Sequence, residues 1–309
     1  MCALSTSNVF SDEPDKNLHD KCLYPTVIIE KAAFLNGKYL GSIGTGSGVI
    51  VRSEKIGDYY RNVAITCDHV VDVEKLKPIV MRRFGSERFM PNFRMIVRSP
   101  IYKDWSEVTG HDLYLSDVYA TSVNSDIAIL IFLSNKQMQV ADIEVEKKFY
   151  FGSDVFKIGG GLGDSLRLDY GKITSVNSKK FGEDGMSGGS IRISAYTVQG
   201  DSGGPVFNKD RKLIGIMSFI RMHGTMQFNC MAFMQPLRRL EKWSKDNKNF
   251  LEFSYSKNAK LPELAFRKLI AKKFIVPKKP LNYWEKEVAI KHKAVGAKIY
   301  ASPMLQFLQ

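Results

Sequence analysis

Short apolar segments separated by turn residues run through the chain from Lys21 to Leu240. The segments are rich in Val, Ile, Phe and Thr, and Gly, Asn, Asp or Ser marks their ends, which is typical of β-strands joined by turns. Clear examples lie at 24–30, 46–52, 62–67, 126–133, 154–160, 171–177, 204–208 and 212–220. Because few stretches of this region show helical periodicity, the pattern predicts an all-β fold, a sandwich or a barrel, rather than a doubly wound sheet.

The last 69 residues differ from this body in charge and in periodicity. Residues 241–309 contain 15 basic and 6 acidic residues, so +9 of the chain's net charge of +13 lies there. Helices are expected at 236–247, 262–274 and 283–295, the first two opened by a proline. We therefore expect a basic helical extension, and its charge suggests binding of RNA or an anionic surface as one role. A solvated, lysine-rich helical face is the alternative, and a genome-linked peptide with Tyr283 or Tyr300 as acceptor is another.

The cysteines and the N-terminal segment indicate the cellular compartment in which the protein is expected. The four cysteines, Cys2, Cys22, Cys67 and Cys230, show no metal-binding spacing, so we expect free thiols in a reducing compartment, with one long-range disulfide as the alternative. No run of about 18 apolar residues indicates a membrane span. The segment 1–20 is polar and lacks a secretory signal pattern. These features predict an intracellular, cytoplasmic protein that is not secreted and needs no metal or cofactor.

Three segments carry side chains that act together in nucleophilic catalysis. In chain order they present His69 after a strand, Asp126 before a strand, and Ser202 in the glycine-rich segment QGDSGGPVF. A serine hydroxyl becomes a competent nucleophile when an imidazole takes its proton, and a buried carboxylate holds that imidazole in the right tautomer. Asp68, Asp72 and Asp117 are rival candidates for the acid.

The segment around Ser202 also suits the stabilisation of an oxyanion. The backbone N–H groups of Gly200 and Ser202 are predicted to point into one pocket, and Gly200 and Gly203 tolerate the backbone angles of a tight turn. One such donor contributes about 2.7–4 kcal/mol to the rate. Cys67 lies two residues before His69, where we expect it to pack in a strand rather than react.

The motif GDSGGP at 200–205, preceded by a histidine and an aspartate in that order, resembles the chymotrypsin/trypsin clan of serine endopeptidases. The segments at 44–51, 155–176 and 212–219 are similar to strands of the bacterial high-temperature-requirement proteases. The resemblance covers roughly residues 24–240 and implies two six-stranded Greek-key β-barrels. It implies that Ser202 is the nucleophile, His69 the general base and Asp126 the residue that orients it.

The resemblance also predicts a substrate pocket, and the sequence departs from the family pattern at some positions. It implies that Ser218 lies near the triad aspartate, and it assigns the pocket to Tyr196, Thr197, Met217, Ser218 and Phe219. Thr197 suits viral enzymes that cut after Gln or Glu, but their partner histidine is absent near Met217. Extracellular members pair an aspartate in the position of Asp201 with an N-terminus freed by cleavage, and no activation site is evident near 21–29.

The predicted organisation follows from the body and the extension. It consists of a polar segment 1–20, an N-terminal barrel 21–140, a C-terminal barrel 141–240 and the basic helical extension 241–309. The predicted function is a serine endopeptidase acting on a protein or polyprotein, with viral polyprotein processing as the favoured context. A cellular, non-secreted trypsin-like protease and a catalytically silent binding module are the alternatives. The oligomeric state stays open.

Overall fold

The fold is described from a computed structural model. The described residues are 15–35, 38–73, 92–103, 107–122, 126–144, 149–161, 165–178, 190–223 and 226–236. Residues 1–14 of the predicted polar segment 1–20 lie outside them. The basic extension 241–309 lies outside the described residues, as do its predicted helices except for Pro236, which ends a strand. The expectations of RNA binding and of a genome-linked tyrosine therefore stay predictions.

Two closed antiparallel β-barrels make up the described part of the chain. The first contains β1 (Thr26–Leu35), β2 (Lys38–Ile56), β3 (Tyr59–Thr66), β4 (Asn92–Lys103), β5 (Glu107–Ser122) and β6 (Ile127–Ser134), in the order β1-β2-β3-β6-β5-β4. Its closure comes from the pairing of β1 with both β2 and β4. The strand order, in which β6 lies between β3 and β5, is a Greek key.

The second barrel repeats this topology with shorter strands. It contains β7 (Asp154–Gly159), β8 (Arg167–Ser178), β9 (Ser190–Ile193), β10 (Pro205–Asn208), β11 (Leu213–His223) and β12 (Met226–Pro236), in the order β10-β11-β12-β9-β8-β7. Pairing of β10 with both β7 and β11 closes it. The predicted all-β fold of two six-stranded Greek-key barrels is confirmed.

The two barrels share a continuous apolar core. One cluster of buried side chains joins residues of the first barrel, such as Val49 and Ile129, to Ile158, Phe207 and Ile216 of the second. Strands β3 and β6 are largely buried, and they pair with each other from Tyr60↔Ser134 to Thr66↔Ala128. The barrels are therefore packed on each other through buried side chains, which fixes their relative position.

Helical structure is sparse in the described part of the chain. A short helix α1 (Lys16–Leu18) continues into a π-helical turn (His19–Leu23), and a single-turn helix α2 (Asp68–Val71) follows β3. No helix among the described residues has the length and hydropathy that a membrane-spanning helix requires.

Candidate active site

His69 lies in α2, the single helical turn that follows β3. Strand β3 ends at Thr66, and Cys67 then has an extended backbone from which α2 begins. The ammonium group of Lys31 on β1 donates hydrogen bonds to the carbonyl oxygens of His69 and Asp72, each at 3.1 Å. Lys31 thereby binds the C-terminal end of α2, where a cation is favoured, and fixes the histidine against the first barrel.

Asp126 lies immediately before β6 and is paired with His69. Its backbone is left-handed, with φ of 51°, a conformation that aspartate tolerates better than most residues. The Nδ1 atom of His69 lies 2.9 and 3.0 Å from the two carboxylate oxygens, and the backbone N–H of His69 donates to the same group at 3.2 Å. The rival Asp117 lies instead 3.7 Å from Arg94 and is 44% exposed.

The charge on Asp126 decides the tautomer of His69. Burial raises the pKa of this carboxyl, but hydrogen bonds from the His69 ring and from Ser218, with the attraction to His69, outweigh it and lower the pKa below its ordinary value of 3.8. An ionised carboxylate only accepts hydrogen bonds, so Nδ1 of His69 carries a proton toward it. The Nε2 atom is then left as the acceptor, and the His69 side chain is 36% exposed.

Ser218 links Ser202 to this pair. Its hydroxyl donates to Oδ2 of Asp126 at 2.5 Å, and its backbone carbonyl accepts a hydrogen bond from the Ser202 hydroxyl at 3.4 Å. The structure therefore brings together all three side chains that the sequence singled out. His69 follows β3, Asp126 precedes β6, and Ser202 lies in the loop before β10. Ser218 lies beside the triad aspartate, as the resemblance implied.

The loop before β10 leaves two backbone donors without an acceptor. The N–H groups of Asp201, Gly203 and Gly204 donate to the carbonyls of Val198, Met217 and Asp201. Within the described residues, the N–H groups of Gly200 and Ser202 donate no hydrogen bond. They are the two donors predicted for the oxyanion, and they are available to a negative oxygen because the rest of the loop is held by other bonds.

Ser47 joins this loop to both barrels, a role that the sequence did not indicate. Its hydroxyl donates to the Gly200 carbonyl at 2.7 Å and accepts from the Gly160 N–H at 2.8 Å, while its own N–H donates to the Ser202 carbonyl at 2.7 Å. The only sequence signal is its place between Gly46 and Gly48. A Cβ atom at Gly46 would lie 2.7 Å from Val70, so the glycine permits the close approach.

Cys67 is a buried thiol beneath the histidine. It is fully buried, and its Sγ donates to the Met217 carbonyl at 2.9 Å. Burial raises the pKa of this thiol well above its ordinary value, and the nearby Asp126 carboxylate adds to the effect. Ligand atoms of Cys67, His69 and Asp126 lie within 4.8 Å of one another. Metal binding needs the thiolate, which this environment disfavours, so the group suits a hydrogen-bonded triad better than a metal centre.

The predicted pocket residues occupy different environments. Tyr196 is 61% exposed, with the Arg167 guanidinium 5.1 Å from its ring centre. Thr197 is buried and donates to the Ala195 carbonyl at 3.2 Å, and Met217 is buried in the core of the second barrel. The Ser218 hydroxyl is bound to Asp126, which makes it a support for the triad. The side chain of Phe219 lies outside the described residues, so its assignment to the pocket stays a prediction.

Comparison with known proteins agrees with this architecture. The family model of the trypsin-like peptidase domain matches residues 46–216, which is more than half of the chain. The chain belongs to the trypsin-like peptidase family. The match runs from β2 to β11 and so includes His69, Asp126 and Ser202.

A solved structure shares the fold of this trypsin-like peptidase domain. The crystal structure of Deg5 superposes with a TM-score of 0.51 at 19% sequence identity, over 73% of this chain and 90% of that chain. At this identity the likeness concerns the fold alone. No curated protein sequence matches the chain. The predicted resemblance to chymotrypsin/trypsin-like serine proteases is confirmed by the family match, and the Deg5 structure agrees with it in fold.

Proposed function

We propose that the protein is a serine endopeptidase that cleaves peptide bonds through an acyl-enzyme intermediate. One observation supports the proposal above the others, namely the chain of hydrogen bonds from His69 to Asp126, from Ser218 to Asp126, and from Ser202 to Ser218. It holds a nucleophile, a base and an ionised acid close together, in the roles that acyl transfer requires.

The first step in the proposed mechanism is the attack by Ser202. The hydrogen bond from its hydroxyl to the Ser218 carbonyl is 3.4 Å long, compared with the usual 2.7–2.8 Å, and is therefore weak. Breaking it costs little energy when the hydroxyl turns toward Nε2 of His69. His69 takes the proton as the oxygen bonds to the substrate carbonyl carbon. The imidazolium that forms is stabilised by Asp126, which is ionised and 2% exposed.

The next steps use the free backbone donors of the loop. The carbonyl oxygen becomes negative in the tetrahedral intermediate and accepts from the N–H groups of Gly200 and Ser202. His69 then donates its proton to the leaving amine, and the acyl group remains on Ser202. Water enters, gives a proton to His69 and attacks the ester carbonyl. Collapse of the second intermediate returns that proton to the Ser202 oxygen and releases the acid.

A peptide-library assay tests this proposal. The wild-type chain is expected to cleave members of the library, and Ser202→Ala is expected to lower turnover by about 10⁶-fold, to background, while the fold is retained. Ser53→Ala is a matched control, since Ser53 lies on β2 and accepts from the Met138 N–H, away from the triad. Equal cleavage by wild type and Ser202→Ala would contradict the proposal, and a folded wild type without turnover would favour the catalytically silent module.

The biological context is a further part of the proposal. Viral polyprotein processing, in the host cytoplasm, is the context that the sequence favours, and a cellular protease of the high-temperature-requirement type fits the fold equally well. Mapping of cleavage sites in a whole-proteome digest separates them. A narrow motif of several residues supports polyprotein processing, whereas broad cleavage of unfolded proteins supports the cellular alternative.

The basic extension carries a separate proposal. Its charge of +9 within 69 residues, interleaved with aromatic residues, supports binding of RNA. The full chain is expected to retain single-stranded RNA on a filter at low salt, with the logarithm of the affinity falling linearly with the logarithm of salt concentration. The chain shortened to residues 1–240 is expected to lose that retention. Unchanged retention by the shortened chain would contradict the proposal.

A further inference from the structure

Asp201, the residue before the proposed nucleophile, is a fully buried carboxylate with an internal cation. The Lys157 ammonium on β7 lies 2.7 Å from its Oδ2, and both side chains are 0% exposed. A lysine is almost never fully buried unless it is paired. The pair lies inside the second barrel, directly behind the loop that carries Ser202, and it takes no part in the proposed chemistry.

Two further residues complete a cluster of alternating charge. Lys157 also lies 3.0 Å from Asp169, its partner across the β7–β8 pair. Arg167 on β8 contacts Asp169 at 2.7 Å and Asp201 at 3.3 Å. The Arg167 side chain is 38% exposed, so water screens its contact with Asp201, whereas Lys157 acts in a dry environment. Lys157 is therefore the principal counter-ion of Asp201.

Asp201 in turn fixes the shape of the oxyanion loop. Its Oδ2 accepts from the Val198 N–H at 2.9 Å, its own N–H donates to the Val198 carbonyl at 3.2 Å, and its carbonyl accepts from Gly204 at 2.9 Å. These bonds close the turn on both sides of Gly200 and Ser202. The Gly159 backbone lies against the same carboxylate, since a Cβ atom there would be 2.5 Å from Oδ1.

We propose that Lys157 is a positioning residue that holds Asp201, and through it the N–H groups of Gly200 and Ser202, in the oxyanion-binding arrangement in the uncut chain. The inference rests on the proposed function for its catalytic consequence. Without Lys157, the buried Asp201 carboxylate keeps only the solvent-screened contact with Arg167, and this strongly favours a loop that opens to bring Asp201 to water. Lys157 on β7 already supplies the counter-ion of Asp201. The chain therefore does not have to be cleaved to provide a new N-terminal ammonium group for that carboxylate.

The test combines kinetics with hydrogen exchange in the full-length protein. Lys157→Met keeps the length of the side chain and removes its charge. In the folded variant, kcat on a cleaved peptide is expected to fall about 10²–10³-fold, as for loss of an oxyanion donor, with a smaller change in KM. Affinity for a peptide aldehyde, whose adduct carries the oxyanion, is expected to fall with kcat. The amides of Asp201, Gly203 and Gly204, which are hydrogen-bonded in the wild type, are expected to exchange faster.

Matched variants separate positioning from simple stability. Lys157→Arg is expected to restore most of the lost kcat, and Lys172→Met, which removes an exposed lysine on β8 paired with Asp154, is expected to leave kcat unchanged. If Lys157→Met does not fold, the double variant Lys157→Met/Asp201→Asn leaves no uncompensated charge and is expected to fold. Its losses of kcat and of amide protection are expected to be smaller than those of Lys157→Met but still measurable, because the ion pair that anchors the loop is gone. Wild-type kcat and protection in either folded variant would overturn the inference.

The wild-type chain provides the other decisive result. Its intact mass, measured before and after turnover, is expected to be unchanged in the active protein. Activity that appears only after cleavage of the chain would overturn the inference. If the wild type cleaves no peptide at all, the proposed endopeptidase function fails. The exchange rates of the 198–204 amides in Lys157→Met then decide the positioning role independently.

Discussion

Two glycines with nearly the same positive φ angle provide a direct test of packing behind the nucleophile. Gly203 has φ of +86° and Gly152, in the turn before β7, has φ of +83°. Alanine in this left-handed region costs about 1–2 kcal/mol from backbone sterics alone. At Gly152 no atom lies within 4 Å of an added Cβ. Gly152→Ala is therefore expected to lower the free energy of unfolding by only that amount.

Gly203→Ala adds severe overlap to the same backbone cost. Its Cβ would lie 2.2 Å from the Ser47 carbonyl oxygen and 2.3 Å from Oγ1 of Thr66, with the Cys67 nitrogen at 3.0 Å. Ser47 and Thr66 cannot yield easily, because the Thr66 hydroxyl donates to the Ser47 carbonyl at 2.7 Å. The total destabilisation is expected to exceed about 4 kcal/mol, which is exceptional for a single substitution.

The assay is urea unfolding of both variants, followed by tryptophan fluorescence and circular dichroism. The two free energies of unfolding are expected to differ by at least about 2 kcal/mol, with Gly203→Ala the less stable or unfolded without urea. A difference of less than about 0.5 kcal/mol between the two free energies of unfolding is typical of ordinary surface substitutions. Such a result would refute the close approach of β2 to the nucleophile loop.

Three further predictions concern Asp126, the buried thiols and Lys31. Because the pKa of Asp126 is lowered on folding, its contribution to stability is complete above the unfolded value of 3.8 and is lost as the pH falls through the folded pKa. Asp126→Asn is therefore expected to be less stable than wild type at pH 7 and to converge with it below pH 3.8, as urea unfolding would show; a constant difference would contradict this. Burial raises the pKa of Cys22 to about 12 and that of Cys67 well above 9.0, so both remain protonated thiols at pH 8 and react slowly. Peptide mapping after iodoacetamide treatment at pH 8 is expected to find both unmodified in the folded protein and modified in urea. Lys31→Met removes the bonds that hold α2 and is expected to lower kcat/KM of the folded protein about 10- to 100-fold, and an unchanged value would show that α2 holds its position without Lys31.

Strands buried on both faces were the easiest part of the fold to predict. The segment 126–133 corresponds to β6 and 154–160 to β7, since long Val- and Ile-rich runs have few alternatives to a buried strand. The segment 62–67 falls at the end of β3 for the same reason. Strands β4 and β5 carry arginine, aspartate and histidine among their apolar residues, so a run of apolar residues does not mark them.

The reacting groups were predictable because their chemistry needs particular residue types in particular local settings. A serine in a glycine-rich turn, with a histidine and an aspartate at strand ends, indicates a particular reaction from the sequence alone. The helical turn that carries His69 was not expected, since the sequence indicated only a strand end. It follows from tertiary contacts, above all from Lys31 on a strand 38 residues earlier in the chain.

The residues that hold the site were not predictable, since their partners are distant in sequence. Ser47 bonds to residues 113 and 153 positions away, and nothing near Ser47 in the chain identifies them. Lys157 did leave a signal, because a lysine in the apolar run DVFKIG requires a buried counter-ion. The identity of that counter-ion, Asp201, emerges only when β7 is placed behind the nucleophile loop.

The most direct test of the central claim is covalent labelling by a fluorophosphonate, which reacts with a serine only when a base removes its proton. Peptide mapping by mass spectrometry is expected to find one label per chain, on Ser202, and His69→Ala is expected to lose the labelling while the fold is retained. A folded wild-type chain that takes up no label, or takes it up at another residue, would contradict the assignment of Ser202 as a nucleophile activated by His69.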